Sequence, residues 1–280
     1  MNFRDRLDQA FDRHDSLLCV GLDPDPARFP AVVGGGDGDI ERFCTAIIEA
    51  TADLVCAFKP QIAYFAACGA EAALERVIEV IRDRAPHALV ILDAKRGDIG
   101  STAERYAVEA FDRYGADAVT VNPYLGSDTL EPFLARPDRG AVVLCRTSNP
   151  GSAEFQGATD DPEPLFERIA RSASEHWNAR ENVMLVAGAT HPDELARIRA
   201  LAPTVPLLVP GIGAQGGDVE AVVRAGVDAR GRGLLLNSAR AVLYASSGDD
   251  FAAAARAEAE RTNDAICAAL QSLPQADRRA

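Results

Sequence analysis

Short apolar runs rich in β-branched residues recur along the chain, each ending in polar, Gly or Pro residues. They read LLCVGLD (17–23), VCAFKPQ (55–61), LVILDAKRGD (89–98), AVTVNPY (118–124), GAVVLCRTS (140–148), VMLVAGA (183–189), PLLVPGIG (206–213) and GLLLNSAR (233–240). Between them lie stretches with helical periodicity, among them EAALERVIEVIRDR, STAERYAVEAFDRY, PDELARIRALA and DVEAVVRAGV. Continuous apolar strands alternating with helices indicate a parallel sheet buried on both faces. Eight such units in 280 residues take about 35 residues each, the size of a strand, a helix and two loops. The pattern therefore predicts an α/β fold, a (β/α)8 barrel. A doubly wound open sheet is the structural rival, but it usually has fewer strands and a switch point.

Residues 2–15 are expected to form a charged helix before the first strand, and 249–271 an Ala-rich helix after the eighth. No composition break divides the chain, so one barrel domain over 1–280 is expected, with its strands within about 17–240. Two loops exceed what a barrel needs: DPDPARFPAVVGGGDGD after strand 1 and NPGSAEFQGATDDPEP after strand 5. Both leave the C-terminal ends of strands, where barrel enzymes keep their chemistry, and long loops there read as lids or interface pieces.

Charge narrows the function. Asp plus Glu number 42 against 29 Lys plus Arg, a net charge of −13. That balance does not suit sequence-independent nucleic-acid binding, which needs clustered base to release counterions. A small anionic ligand remains compatible, because a local cluster of donors outweighs net charge. No apolar run approaches a membrane span, and the start MNFRDRLDQAFDRHD is too charged for a signal peptide, so a cytoplasmic protein is expected. The six cysteines (19, 44, 56, 68, 145, 267) show no C-x-x-C spacing and read as small buried hydrophobes in a reducing compartment. The four histidines are isolated, which argues against a His-based metal site or a Ser-His-Asp triad.

Of the 29 basic residues only Lys59 and Lys95 are lysines. A chain so biased uses Arg wherever any positive charge will do; where Lys remains, a compact ammonium that can release a proton is called for. Both lysines fall at strand ends. In ILDAKRGDIGST, Asp93 and Lys95 at i and i+2 share a face, and Asp98 follows once Gly97 lets the chain turn. AFKPQ places Lys59 at the matching end of the preceding strand, and strand 1 ends in Asp23. An alternating set Asp–Lys–Asp–Lys–Asp keeps each charge paired and sets a proton donor beside a site that repels a substrate anion.

At the far end, VPGIGAQGGD follows strand 7 and NSAR ends strand 8. Gly213 and its neighbouring glycines let backbone N–H groups approach an anion, the helix starting near Asp218 offers its N-terminus, and Arg240 and Gln215 supply side-chain donors. Barrels often bind phosphate with these two loops. Ser148 or Asn149 after strand 5, and Asn122 after strand 4, either hydrogen-bond a heterocycle or merely start turns.

The run LDAKRGDIGSTA, with GLDP upstream, FKPQ on strand 2, RTSNPG on strand 5 and PGIGAQGGD downstream, resembles the orotidine 5′-phosphate decarboxylase family, in its longer bacterial form, over about 15–245. The resemblance implies a (β/α)8 barrel homodimer with active sites at the interface, a nucleotide substrate, and neither metal nor cofactor. It implies that Lys95 protonates the pyrimidine carbon that loses CO2 and that Asp93 crowds the departing carboxylate. By the same resemblance Asp98 and Thr102 come from the other subunit, the first completing the charge array and the second touching ribose. Lys59 and Asp23 look like ribose-side partners, Ser148 like the pyrimidine reader, and Gln215 and Arg240 like phosphate ligands. The loop after strand 7 is shorter than in that family, which implies a simpler phosphate grip and makes the strand 5 loop the larger lid. Three rivals stand beside this reading: an Mg2+-dependent sugar-phosphate decarboxylase with a D-x-K strand, a Schiff-base aldolase, and a non-catalytic barrel that senses pyrimidine nucleotides.

Overall fold

In the computed structural model, which describes residues 1–34, 38–157, 163–212 and 218–273, every one of the eight apolar runs is a strand. They are β1 (Leu18–Leu22), β2 (Ala57–Pro60), β3 (Leu89–Arg96), β4 (Ala118–Val121), β5 (Gly140–Arg146), β6 (Val183–Ala187), β7 (Leu207–Pro210) and β8 (Leu234–Ser238). All pair in parallel in chain order, and β8 returns to β1 to close the barrel. The fold is a (β/α)8 barrel. Around it run α1 (Phe3–His14), α2 (Asp39–Thr51), α3 (Ile62–Ala66), α4 (Glu71–Arg84), α5 (Gly100–Val108), α6 (Glu131–Leu134), α7 (Leu165–Ser172), α8 (Pro192–Leu201), α9 (Val219–Gly226), α10 (Arg240–Leu243) and α11 (Phe251–Ser272). The periodic stretch 101–114 is helical throughout but changes character: its last turn, Glu109–Arg113, widens into a π-helix.

The strand registers carry the stagger of a barrel with a shear of about 8. Alternate strands then contribute side chains at one height. Ala57, Ala118, Met184 and Leu235 form one such layer, fully apolar and buried. One step towards the C-terminal mouth, the same strands supply Lys59, Thr120, Val186 and Asn237. The change from apolar to polar in a single step marks where the core ends and a site begins.

Outside the barrel, Phe43 of α2 stacks on Phe29 at 4.4 Å, on Phe251 of α11 at 5.5 Å and on Tyr244 at 5.9 Å. This aromatic stack fastens the C-terminal helix over the β8–β1 seam and buries apolar area at offset-stacked geometry. Cys19, Cys44, Cys56 and Cys145 are buried as expected, and burial pushes the Cys19 thiol up to about 12. Cys68 and Cys267 differ: they are exposed, because each sits on the outer face of a helix or its end rather than in a strand.

The opposite face is closed by α1. Phe3 fills the space that Gly140 leaves at the start of β5, where a Cβ would come within 2.4 Å of its ring. Asp117, fully buried just before β4, accepts from Val90 N–H at 2.8 Å and gathers Arg6 of α1 (2.5 Å), Arg82 of α4 (2.7 Å) and Arg139 (3.6 Å). One carboxylate thus ties α1 and α4 to the barrel floor, and removing it strands three cations. Asp117→Asn is expected to lower the unfolding free energy by ~2 kcal/mol, less than for a fully buried pair because the arginines keep contact with water. Urea denaturation of the variant measures this, and an unchanged midpoint contradicts it.

Candidate active site

The candidate site lies at the C-terminal end of β3. β3 is the longest strand, and its last residues rise out of the apolar core. Asp93 is buried, and its two oxygens are divided between the two lysines: Lys59 Nζ donates to Oδ2 at 2.8 Å and Lys95 Nζ to Oδ1 at 2.7 Å. Lys59 is only 4% exposed, whereas the Lys95 side chain is 48% exposed at the mouth. The two lysines singled out by their rarity therefore meet on one carboxylate, one enclosed and one open to a ligand.

Plain strand alternation does not bring Lys95 there. The β3–β4 register shifts between Leu92 and Arg96, and Lys95 takes a left-handed backbone with φ of 46°. Such a conformation is strained for a side chain other than Gly and persists only where its surroundings hold it. Thr120 of β4 does so: its hydroxyl oxygen accepts from the N–H groups of both Ala94 and Lys95 at 2.9 Å and donates to Asp93 Oδ1 at 2.9 Å. One threonine thus fixes the backbone of the open lysine and the carboxylate beside it. Thr120 was not among the expected site residues, because a threonine inside an apolar strand carries no spacing signal of its own.

Burial alone would raise the Asp93 carboxyl, but the two ammonium groups outweigh it and hold it well below the usual carboxylate range. Burial likewise pulls Lys59 down, and the facing charges of Asp93 and Asp23 reverse this and raise it. Asp93 and Lys59 are therefore both charged at neutral pH. Asp23 behaves otherwise. Burial raises its carboxyl, Lys59 offsets this in part, and its Oδ1 has no hydrogen-bond partner. Its backbone is fixed by Tyr244, whose hydroxyl donates to Asp23 C=O at 2.9 Å and accepts from Asp25 N–H at 2.7 Å.

Asp98 does not extend the ladder within its own chain; its Oδ1 accepts from Ile99 N–H at 2.8 Å, at the turn into α5. Thr102, on the first turn of α5, is exposed. Ser148 lies after β5 against the end of β6, where a Cβ on Gly188 would come within 2.9 Å of its N atom. Arg240 begins α10 rather than ending β8, is exposed at the mouth, and its charge reaches Asp23. Gly213 and Gln215 lie outside the described residues, but Asp218 caps α9 as expected, accepting from Glu220 N–H at 2.9 Å. Asn122 and Asn149 serve turns: Asn122 accepts from Tyr124 N–H, and Asn149 from the Thr147 hydroxyl. Among the described residues no group of three or more His, Cys, Asp or Glu is placed to hold a metal ion, and no helix is long and apolar enough to cross a membrane.

Fold and site together describe a (β/α)8 barrel that gathers two ammonium groups on one carboxylate at its C-terminal mouth. The profile of the Orotidine 5′-phosphate decarboxylase / HUMPS family matches residues 16–257, and the chain belongs to that family. Orotidine 5′-phosphate decarboxylase of Azoarcus sp. (strain BH72) is 62% identical over 266 residues, 95% of this chain and 98% of that protein. Its counterpart in Dechloromonas aromatica (strain RCB) is 60% identical over the same shares. Among solved structures, Leishmania donovani OMP decarboxylase superposes with a TM-score of 0.85 at 40% identity, covering 98% of this chain and all of that one.

The raised Asp23 carboxyl has a sign that can be checked. A group whose folded pKa lies above its unfolded value near 3.9 favours the folded state when protonated, so its contribution is lost as pH rises through that window. Asp23→Asn is therefore expected to unfold at the same or a higher temperature than wild type at pH 7, with the difference shrinking towards pH 3.5. Calorimetry at the two pH values tests this; a clear destabilisation at pH 7 contradicts it.

Proposed function

We propose that this protein decarboxylates orotidine 5′-monophosphate to uridine 5′-monophosphate and CO2, the last step of de novo pyrimidine nucleotide synthesis. The observation that carries the reading is the Asp93 carboxylate shared by an enclosed and an open lysine. In the reaction the bond from the pyrimidine ring to its carboxylate carbon breaks and CO2 departs. The bonding pair stays on the ring carbon, which takes a proton from Lys95 Nζ. The vinyl carbanion is poorly delocalised, so a fixed ammonium beside it stabilises the transition state more than the ground state. Asp93, charged and held in place by Lys59 and Thr120, repels the substrate carboxylate and favours its departure. Lys95 supplies both the field and the proton, so the step needs neither metal nor cofactor.

The rest of the site binds. Asp23 and Lys59 take the ribose, Ser148 reads the pyrimidine, and Arg240, Gln215 and the Gly213 backbone hold the phosphate. Binding energy from the phosphate, remote from the reacting carbon, offsets the cost of confining two carboxylates together. Asp98 and Thr102 act in a homodimer, each completing the partner's site. Ile99, which lies between them in the chain, supports this: it is 62% exposed, an apolar side chain that a second copy would cover. A protein of this activity works in the cytoplasm.

Ultraviolet absorbance tests the reaction. Purified protein with orotidine 5′-monophosphate in EDTA is expected to deplete the orotate band without added cofactor. Lys95→Ala is expected to lower kcat by more than about a thousandfold, roughly 4 kcal/mol of barrier. A loss of less than about tenfold would remove Lys95 from the chemistry.

Subunit mixing tests the shared site. Lys95→Ala and Asp98→Ala proteins, each inactive alone, are expected to regain about a quarter of wild-type activity once dissociated and reassembled together. Half of the dimers are then mixed, and each of these has one intact site. No regain rules out the role of Asp98 in the partner's site.

A further inference from the structure

Asn237 closes the ring of side chains in which Lys59 stands. Lys59, Thr120, Val186 and Asn237 share one height, and between β8 and β2 runs β1, whose inward position paired with Lys59 is Gly21. A Cβ on Gly21 would lie 2.6 Å from Ala239 Cβ and 3.3 Å from Asn237 Oδ1. The amide oxygen therefore lies over bare glycine backbone, on the side of Lys59 away from Asp93. Asn237 is 6% exposed, and Oδ1 is buried with no hydrogen-bond partner. An unpartnered acceptor is costly in a folded interior, and an apolar residue would fill the place without that cost, as Val186 does in the same ring. The nearest group rich in donors is the Lys59 ammonium, which carries three N–H bonds and gives one to Asp93.

We propose that Asn237 is a positioning residue for Lys59: its side-chain oxygen accepts an N–H of the Lys59 ammonium through one water held over Gly21. The inference rests on the reading of the site as a nucleotide decarboxylase. Lys59 is then held from two sides, by Asp93 on β3 and by Asn237 on β8, and presents its remaining N–H to the sugar of the bound nucleotide. Loss of the β8 anchor lets the ammonium tilt onto Asp93 and weakens the grip on the sugar. Lys95 keeps its own bond to Asp93 Oδ1, so proton delivery is little affected. A direct contact with Lys59 would fix it equally well, but no donor reaches Oδ1 within hydrogen-bond distance, and a bridging water serves nearly as well as a direct bond.

Steady-state kinetics with orotidine 5′-monophosphate separate this role from a structural one. Asn237→Leu, close in shape but without an acceptor, is expected to raise KM about tenfold with kcat within about threefold of wild type, and to unfold at the same or a higher temperature. Asn237→Asp keeps an oxygen at the same place and is expected to bring KM back to within about threefold. The proposal is overturned by a Leu variant with wild-type KM, by one whose kcat falls together with its unfolding temperature, or by an Asp variant no better than Leu. If Asn237→Leu does not fold, Asn237→Ala is judged by the same criteria. Wild-type protein inert towards orotidine 5′-monophosphate would instead refute the decarboxylase reading, an outcome that needs no variant to detect.

Discussion

Everything at the mouth of this barrel depends on how one buried carboxylate is shared. Asp93 without partners would be neutralised by burial or would unfold its surroundings. With Lys59 on one oxygen and Lys95 and Thr120 on the other, it stays charged. Lys59 needs it in turn: it is buried as deeply, and the facing charges of Asp93 and Asp23 reverse the lowering that burial imposes on it. The trio can hold its geometry only on a rigid support, which the closed sheet supplies, with strands fastened on both edges. The left-handed backbone at Lys95 follows from the same constraint. To bring an open lysine back onto a carboxylate two residues earlier, β3 must leave its regular register, and Thr120 pins it there.

Much of the fold was legible in the order of apolar runs, because strands buried on both faces leave an uninterrupted apolar signature and helices a periodic one. Glu71–Arg84 and Pro192–Leu201 fall where their periodicity places them. Details set by contacts distant in sequence left no such mark. The register shift in β3 depends on a hydroxyl of β4. The π-helical turn at Glu109–Arg113 lies within a stretch whose periodicity reads as ordinary helix. Arg146 is another case: as one arginine among many it drew no attention, yet it is 3% exposed and bonds Glu194 of α8 at 2.6 Å, fastening the start of the strand 5 loop.

The candidate site was legible where residue choice itself was unusual. Two lysines among so many arginines pointed to Lys59 and Lys95, and strand ends pointed to Asp93 and Asp23. Residues that act through the backbone stayed hidden. Tyr244 fixes the peptide groups around Asp23 from more than two hundred positions away, and only the folded chain brings them together. Asn237 stood in plain view in the eighth run, but its relation to Lys59 emerges only from the registers and from the missing side chain at Gly21. For Asp98 the single chain shows a turn residue, its carboxylate accepting from Ile99 N–H.

The near-absence of lysine follows from a division of labour between the two cations. Arginine builds the frame, since its broad, permanently protonated fork can satisfy several acceptors at once. Arg199 donates to the carbonyls of Gly226, Ala202, Val205 and Gly233 beneath the barrel, and it does so nearly buried, its pKa lowered by burial only to about 10. Three more arginines surround Asp117 at the same end. A guanidinium suits such a frame and not the delivery of a proton. The proposed reaction calls for the opposite properties: an ammonium small enough to share one carboxylate with another, and able to release a proton to carbon. Lysine alone meets both, and the described structure places both lysines of the chain on Asp93. The net charge of −13 does not conflict with an anionic ligand on this view. Much of the acid is paired with arginine across the outer surface and the floor, whereas at the mouth Lys59, Lys95 and Arg240 set the local field.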